Sequence, residues 1–310
     1  MTKSFHRIFI IGAGAMGAAY GSILYDMDPT CVSFIVRGER AKRLKERGLI
    51  VNGRPYPIHV VTPDRNVEPP DLIMVAVKSH QLPQALEDMK SLVGNSTVFL
   101  SVMNGIESEE QLGAVFGMDK VLYAVAVGID AMRDEHKVTF SNRGKLYFGE
   151  ADNSVLTERV KTLQSLFSKA GIISETPRSM IRVLWWKFMI NVGINQASAV
   201  LHAPYGVFQS FPEASSLMES AMGEVMMLAK ASKIDLTEKD INEWHGFLSS
   251  LAPTGKTSML QDVEAGRKTE VEIFAGKVIS LGKAYNKPTP VNETLYRILR
   301  VTEQRYLQSK

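Results

Sequence analysis

Residues 7–27 read RIFIIGAGAMGAAYGSILYDM: an apolar run, a cluster of glycines and a second apolar run. The first run, up to Gly14, has the pattern of a strand, and the second, Ala15 to Met27, that of a helix. Gly12, Gly14 and Gly17 form a G-x-G-x-x-G pattern. The pattern carries little alone. At the end of a strand and the head of a helix it marks the first turn of a dinucleotide-binding unit. There Gly12 permits the tight turn, Gly14 lets a pyrophosphate approach the backbone, and Gly17 lets helix and strand pack closely. The helix start at Ala15 and Met16 offers amide donors and partial positive charge to phosphate. A glycine turn that serves packing alone is the competing reading.

Outward from this turn, strand and helix patterns alternate. CVSFIV (31–36) is a second strand and GERAKRLKERG (38–48) a basic helix. LIVNGRPYPIHVV (49–61) holds Asn52-Gly53 between β-formers, a hairpin signal. DLIMVAV (71–77) is continuously apolar, as a strand buried on both faces would be. A helix (79–93), strands at 97–102, 121–132 and 145–150, and an amphipathic helix (154–171) follow. Short buried strands separated by helices imply parallel pairing. From about residue 178 the pattern turns helical, with runs near 213–232, 238–250, 258–285 and 292–308. The expectation is an α/β chain: a Rossmann-type dinucleotide-binding domain over 1–177, then an all-helical domain over 178–310. A ligand is expected between them, at the carboxyl ends of the strands.

Bulk properties narrow the function classes. The 310 residues are 45% hydrophobic and 22% charged, the balance of a globular protein. A net charge of +3 gives no sign of a nucleic-acid or membrane surface. No uncharged apolar run reaches about 18 residues, so no spanning helix is expected. The start runs directly into the glycine motif without a signal-peptide layout, and Cys31 is the one cysteine. A cytoplasmic protein is expected, with Cys31 as a core residue. The six histidines show no H-x-x-x-H or H-E-x-x-H spacing, so no metal site is expected. TGKTS (254–258) echoes a phosphate-binding loop, but Ser250 stands where its first glycine belongs. The methionine-rich run 217–229 reads as core or as a subunit interface, the latter implying a homodimer.

The residue after the second strand bears on cofactor type. An acid there would bind a free ribose hydroxyl, whereas Arg37 suits a 2′-phosphate. NADPH/NADP is therefore expected over NAD, although Glu39 could serve a ribose hydroxyl instead. Lys78 ends the third strand and Asn104 the next. Each reads equally as a ligand contact or as a surface or turn residue. One helix remains, VLWWKFMINVGINQASAVL (183–201), apolar nearly all round yet carrying Lys187, Asn191 and Asn195. Residues four apart share a helix face, so these make one polar stripe. A stripe in a buried helix faces protein partners, water or a ligand.

Taken with the glycine motif, Arg37, Lys78 and Asn104, this helix resembles those of the ketopantoate reductase (2-dehydropantoate 2-reductase) family. The resemblance covers essentially the whole chain. It rests on W-x-K-x-x-x-N-x-x-x-N, matched by Trp185, Lys187, Asn191 and Asn195, and on SMLQDVEAGRKTEVE (258–272). It implies NADPH bound by the N-terminal domain, with Lys78 and Asn104 among its contacts, and reduction of a small 2-keto acid. It implies Lys187 as catalytic lysine, Glu270 as active-site acid, and a substrate site of Asn104, Lys187, Asn191, Asn195 and Ser258. His202 is a reserve acid–base candidate. Two positions depart from the family pattern: Gly255 and Tyr205 stand where many members carry asparagine.

Overall fold

The computed structural model describes residues 5–134 and 137–308. The chain divides into two compact units, Met1–Val183 and Leu184–Lys310. The first holds strands β1 (Ile8–Ile11), β2 (Val32–Ile35), β3 (Leu49–Val51), β4 (Arg54–Tyr56), β5 (His59–Val61), β6 (Leu72–Val75), β7 (Val98–Ser101), β8 (Val121–Ile129), β9 (Met132–Asp134), β10 (Lys137–Thr139), β11 (Arg143–Gly149) and β12 (Ser174–Glu175). Eight of these form one sheet, ordered β12-β11-β8-β7-β6-β1-β2-β5. All pairings from β5 through to β8 are parallel, as the strand–helix alternation predicts. β11 then runs antiparallel to β8.

β1, β6 and β7 are buried at every position. Alternate residues of one strand feed opposite faces. Ile8 and Ile10 join one apolar cluster with Phe34, Leu72 and Leu100, while Phe9 and Ile11 join another with Ile35, Ile73 and Phe99. Both faces are thus covered, which is why these strands read as unbroken apolar runs. The chain passes from β1 to β2 on one side and returns through β6 on the other. The strand order therefore reverses at β1, the place where open α/β sheets bind ligands.

The glycine turn joins β1 to the helix Ala15–Met27. Gly12 has φ +105°, and a Cβ there would collide with the Ala76 carbonyl. A Cβ on Gly17 would strike the Gly12 carbonyl and meet the Ala76 Cβ at 3.3 Å. Both glycines are demanded by the fold itself.

A second sheet, ordered β4-β3-β10-β9, is absent from the sequence expectation. Its strands of three residues are too short to show a period. The hairpin within it is the one that Asn52-Gly53 signals: φ is +50° and +78° at these residues, as a two-residue turn of this kind requires.

The described residues of the second unit are helical. The helix Met180–Ile190 runs into a π turn, Asn191–Asn195, and continues as Gln196–Leu201. The helix Pro212–Ala231 packs against that π turn. Its Met218 and Met222 are fully buried, so the methionine run is core at these positions. The expected helix over 258–285 is broken. Ser258–Glu264 ends in a turn through Gly266 at φ +58°, a common helix stop. The chain resumes in a second π turn, Glu272–Gly276, followed by Lys277–Ala284. Its apolar period masked this break.

Gly17→Ala should lower unfolding free energy by about 1–3 kcal/mol or more, the cost of overpacking. Gly223, in the helix Pro212–Ala231 with nothing within 4 Å of an added Cβ, should gain up to about 1 kcal/mol as Ala. Chemical denaturation of the two variants checks both signs.

Candidate functional site

In the first unit the strand register aligns one edge. Ile11 pairs with Ile35 and Val75, and Val75 pairs with Ser101. The glycine turn, Arg37, Lys78 and Asn104 follow directly from these aligned ends. The sequence-predicted cofactor residues Gly12, Gly14, Ala15, Met16, Gly17, Arg37, Lys78 and Asn104 are thus gathered at one edge of the sheet.

Gly14 differs from its neighbours in the turn. Its φ is −81°, and an added Cβ would come no nearer than 4.0 Å to Ala76 O. The protein's own packing does not call for glycine there, so the open space fits the close approach of a ligand. The helix beyond carries no acidic residue in its first turn, which leaves its positive end uncompensated. Arg37 is exposed, and its Nη1 donates to Asp88 Oδ1 at 2.9 Å. Glu39 pairs with Lys42 at 2.6 Å. Lys78 and Asn104 are half-buried and already engage protein groups.

Two residues of this unit escaped the sequence reading. Arg133, on β9, donates from Nη1 to Ala13 O at 2.7 Å, inside the glycine turn. The residue as a whole is exposed, but local desolvation of its guanidinium, with Arg40 and Arg43 nearby, lowers its pKa. Glu109 is buried in the first turn of the helix Ser108–Phe116, and desolvation pushes its pKa up to about 7. It accepts from Ser108 Oγ at 2.9 Å, and Ser108 in turn contacts Ser101 Oγ at 2.7 Å. No local pattern marks either residue; both roles arise from long-range packing.

In the second unit the stripe holds together for a reason that spacing alone does not supply. In an α-helix four residues overshoot one turn, so a four-residue stripe drifts. The π turn takes more residues per turn, so the step from Asn191 to Asn195 falls short instead. The two drifts oppose. Asn195 Nδ2 donates to Asn191 Oδ1 at 3.3 Å, and both amides are buried. Lys187 lies one turn earlier, beside the buried Leu184, Trp185, Phe188 and Met189. Burial pulls its pKa from the ordinary 10.5 down to about 8. Among the described residues no hydrogen bond or ion pair holds its ammonium, and no carboxylate contributes to the shift.

Glu270 is buried, 5% exposed, just ahead of the second π turn. It is not free of partners. Its neighbour Thr269 donates from N and Oγ1 to Glu303 Oε1, at 2.8 and 2.6 Å, which fixes this stretch against the last helix. The two π turns pack on one another. Ser258 opens the helix Ser258–Glu264 with its side chain exposed. The preceding Thr257 caps that helix and donates to Ser198 Oγ at 3.2 Å. His202 ends the helix Gln196–Leu201 in a left-handed conformation and is exposed.

The two departures from the family pattern touch each other. A Cβ on Gly255 would lie 2.9 Å from Tyr205 Cδ2. Tyr205 N–H donates to Gly255 O at 2.9 Å, and Gly206 N–H to Pro253 O at 2.8 Å. The ring of Tyr205 occupies the space that a side chain at position 255 would need. Burial raises the pKa of the Tyr205 hydroxyl.

Comparison with known proteins gives two family matches. Residues 8–153 match the family model described as "Ketopantoate reductase PanE/ApbA", and 179–303 match its C-terminal counterpart. A 2-dehydropantoate 2-reductase of Aquifex aeolicus is 27% identical over 303 residues, 96% of this chain and 97% of that one. The crystal structure of 2-dehydropantoate 2-reductase from Geobacter metallireducens is 26% identical, with TM-score 0.85 over 95% of this chain and 99% of that one. A D-mandelate dehydrogenase, in ternary complex with NADH and anilino(oxo)acetate, has the same fold, with TM-score 0.89 at 23% identity over 97% of this chain and 99% of that one.

A lysine whose folded pKa lies below its unfolded value destabilises the fold. The penalty is complete below pH about 8 and is relieved as pH rises from about 8 to 10.5. Lys187→Met should therefore be more stable than the parent at pH 7, by up to about 3 kcal/mol. The difference should shrink by pH 10. Urea denaturation at the two pH values measures it.

Proposed function

The chain belongs to the ketopantoate reductase family, and on that premise we propose that it reduces a 2-keto acid to the 2-hydroxy acid with NADPH. The best substrate is 2-dehydropantoate, giving (R)-pantoate for pantothenate and coenzyme A synthesis. The observation that carries the reading is the Lys187 ammonium, desolvated to a pKa of about 8 on a stripe with two buried amides. That value lies near the operating pH, where a general acid works best.

The groups divide the work. Gly12, Gly14 and Gly17, with the amides of Ala15 and Met16, would hold the pyrophosphate. The space before Gly14 supports this fit. Arg37 would read the 2′-phosphate, sharing its charge between phosphate and Asp88. Lys78 and Asn104 would contact the cofactor from the ends of β6 and β7, Asn104 reaching the substrate as well. Bound NADPH supplies hydride to the carbonyl carbon. Lys187 donates its proton to the carbonyl oxygen as negative charge develops there, and solvent reprotonates the amine. Asn191 and Asn195 orient that exchange. Ser258 binds the polar end of the keto acid, and Glu270 orients the substrate.

A second reading, reduction of another small 2-keto acid, is favoured by the Tyr205–Gly255 contact, which replaces two amides with one ring. A binding-only NADP sensor would need neither Lys187 nor Glu270.

NADPH oxidation, followed by absorbance with 2-dehydropantoate, 2-ketoisovalerate, pyruvate and phenylglyoxylate, tests both readings. Turnover of 2-dehydropantoate with highest kcat/KM is expected. Preference for another member moves the substrate and keeps the reaction, and no turnover of any contradicts it. Arg37→Ala should raise the KM for NADPH at least about tenfold and leave NADH nearly unchanged, as loss of a charge-assisted bond would. Equal losses would remove Arg37 from the 2′-phosphate.

A further inference from the structure

The two π turns of the second unit are repaired by a single side chain. In the second turn, Val271 O accepts from Phe274 N at 3.3 Å and from Gly276 N at 3.0 Å. The Ala275 N–H between them donates instead to Gln196 Oε1 at 3.1 Å. The other end of the same amide serves the first turn: Gln196 Nε2 donates to Val192 O at 2.8 Å. Its second proton goes to Asn292 Oδ1 at 3.0 Å. A π turn interrupts the regular ladder and strands backbone groups, which in a dry interior must find partners elsewhere. Gln196 has no exposed surface and its carbonyl and both protons are engaged.

The clamp is itself anchored. Asn292 Nδ2 donates to Glu224 Oε2 at 2.7 Å and to Ala221 O at 3.2 Å. Glu224 also accepts the N–H groups of Val291 and Asn292, at 2.8 and 3.0 Å, and so caps the helix Pro290–Gln308. The first π turn contains Asn191 and Asn195 and follows Lys187. The second follows Glu270, whose carbonyl accepts from Ile273 N at 3.2 Å.

We propose that Gln196 is a positioning residue that sets the register of the Lys187–Asn191–Asn195 stripe against Glu270, by bridging Val192 O of one π turn to Ala275 N–H of the other. The proposal rests on the reductase reading above. Without the bridge each turn can relax toward a regular α-helix, and the change in residues per turn rotates what lies before or after it. Lys187 and Glu270 then lose their mutual placement while the cofactor-binding unit is untouched.

The test uses the full chain with NADPH and the panel of 2-keto acids named above. Gln196→Met keeps the shape and removes every bond. Its kcat should fall at least tenfold, with KM for NADPH within about twofold of the parent. Gln196→Glu keeps the acceptor for Ala275 N–H and should recover part of the loss. A merely structural role would lower the melting temperature without this split, so kcat is measured well below the melting transition of each variant. A folded Met variant with kcat within twofold of the parent overturns the proposal. If the Met variant does not fold, the Glu variant decides: reduced kcat with unchanged KM for NADPH supports it, and parental kcat overturns it. Lys187→Ala is run alongside. Loss of kcat there, with Gln196 variants unaffected, sinks this proposal alone. Parental kcat in Lys187→Ala removes Lys187 from the chemistry and overturns this proposal while leaving the reductase reading, whereas no turnover of any panel member by the parent overturns both.

Discussion

Holding a half-buried, desolvated ammonium on an otherwise apolar helix is the constraint around which the second unit is arranged. Burial holds the Lys187 pKa down at about 8, and no carboxylate among the described residues raises it again. Nothing in the folding of a helical domain calls for such a group, since leucine or methionine would fill the same space at lower cost. The same helix continues into a π turn that carries two buried amides, and this turn packs on a second π turn that follows the buried Glu270. π turns are rare and concentrate where function needs a side chain re-aimed. Here one re-aims the stripe and the other lies directly after Glu270, and the fully buried Gln196 joins them.

The first unit solves a different problem, that of presenting polar backbone to an anion at the edge of an apolar sheet. The reversal of strand order at β1 opens the crevice. Gly12 and Gly17 are explained fully by contacts with Ala76 and with each other, whereas Gly14 is not explained by any contact within the protein. That contrast separates the glycines that make the turn from the one that leaves room in front of it. Arg133 adds a strap from the second sheet onto the Ala13 carbonyl.

How far the sequence could be read followed from the range of the interactions. The glycine turn, the apolar central strands and the Asn52-Gly53 hairpin are local devices, so their residue patterns carry them. The four-residue spacing of Lys187, Asn191 and Asn195 was equally visible, as was the residue-by-residue match to the family. The π turns were not, because their geometry depends on Gln196 reaching Ala275, which is distant in sequence. For the same reason Arg133 and Glu109 carried no signal. The break at Gly266 lay hidden in a run whose apolar period continues across it. Gly255 and Tyr205 looked like two separate departures from the family pattern, and the structure joins them into one contact.

In the proposed reaction Lys187 gives its proton as hydride arrives. The most direct test of this step is a single-turnover measurement, mixing the enzyme–NADPH complex with saturating 2-keto acid between pH 6 and 10. The rate constant for NADPH oxidation in the parent should fall with one ionisation near pH 8. In Lys187→Ala it should be at least about a hundredfold lower and without that limb. The same limb persisting in Lys187→Ala at an undiminished rate would contradict it.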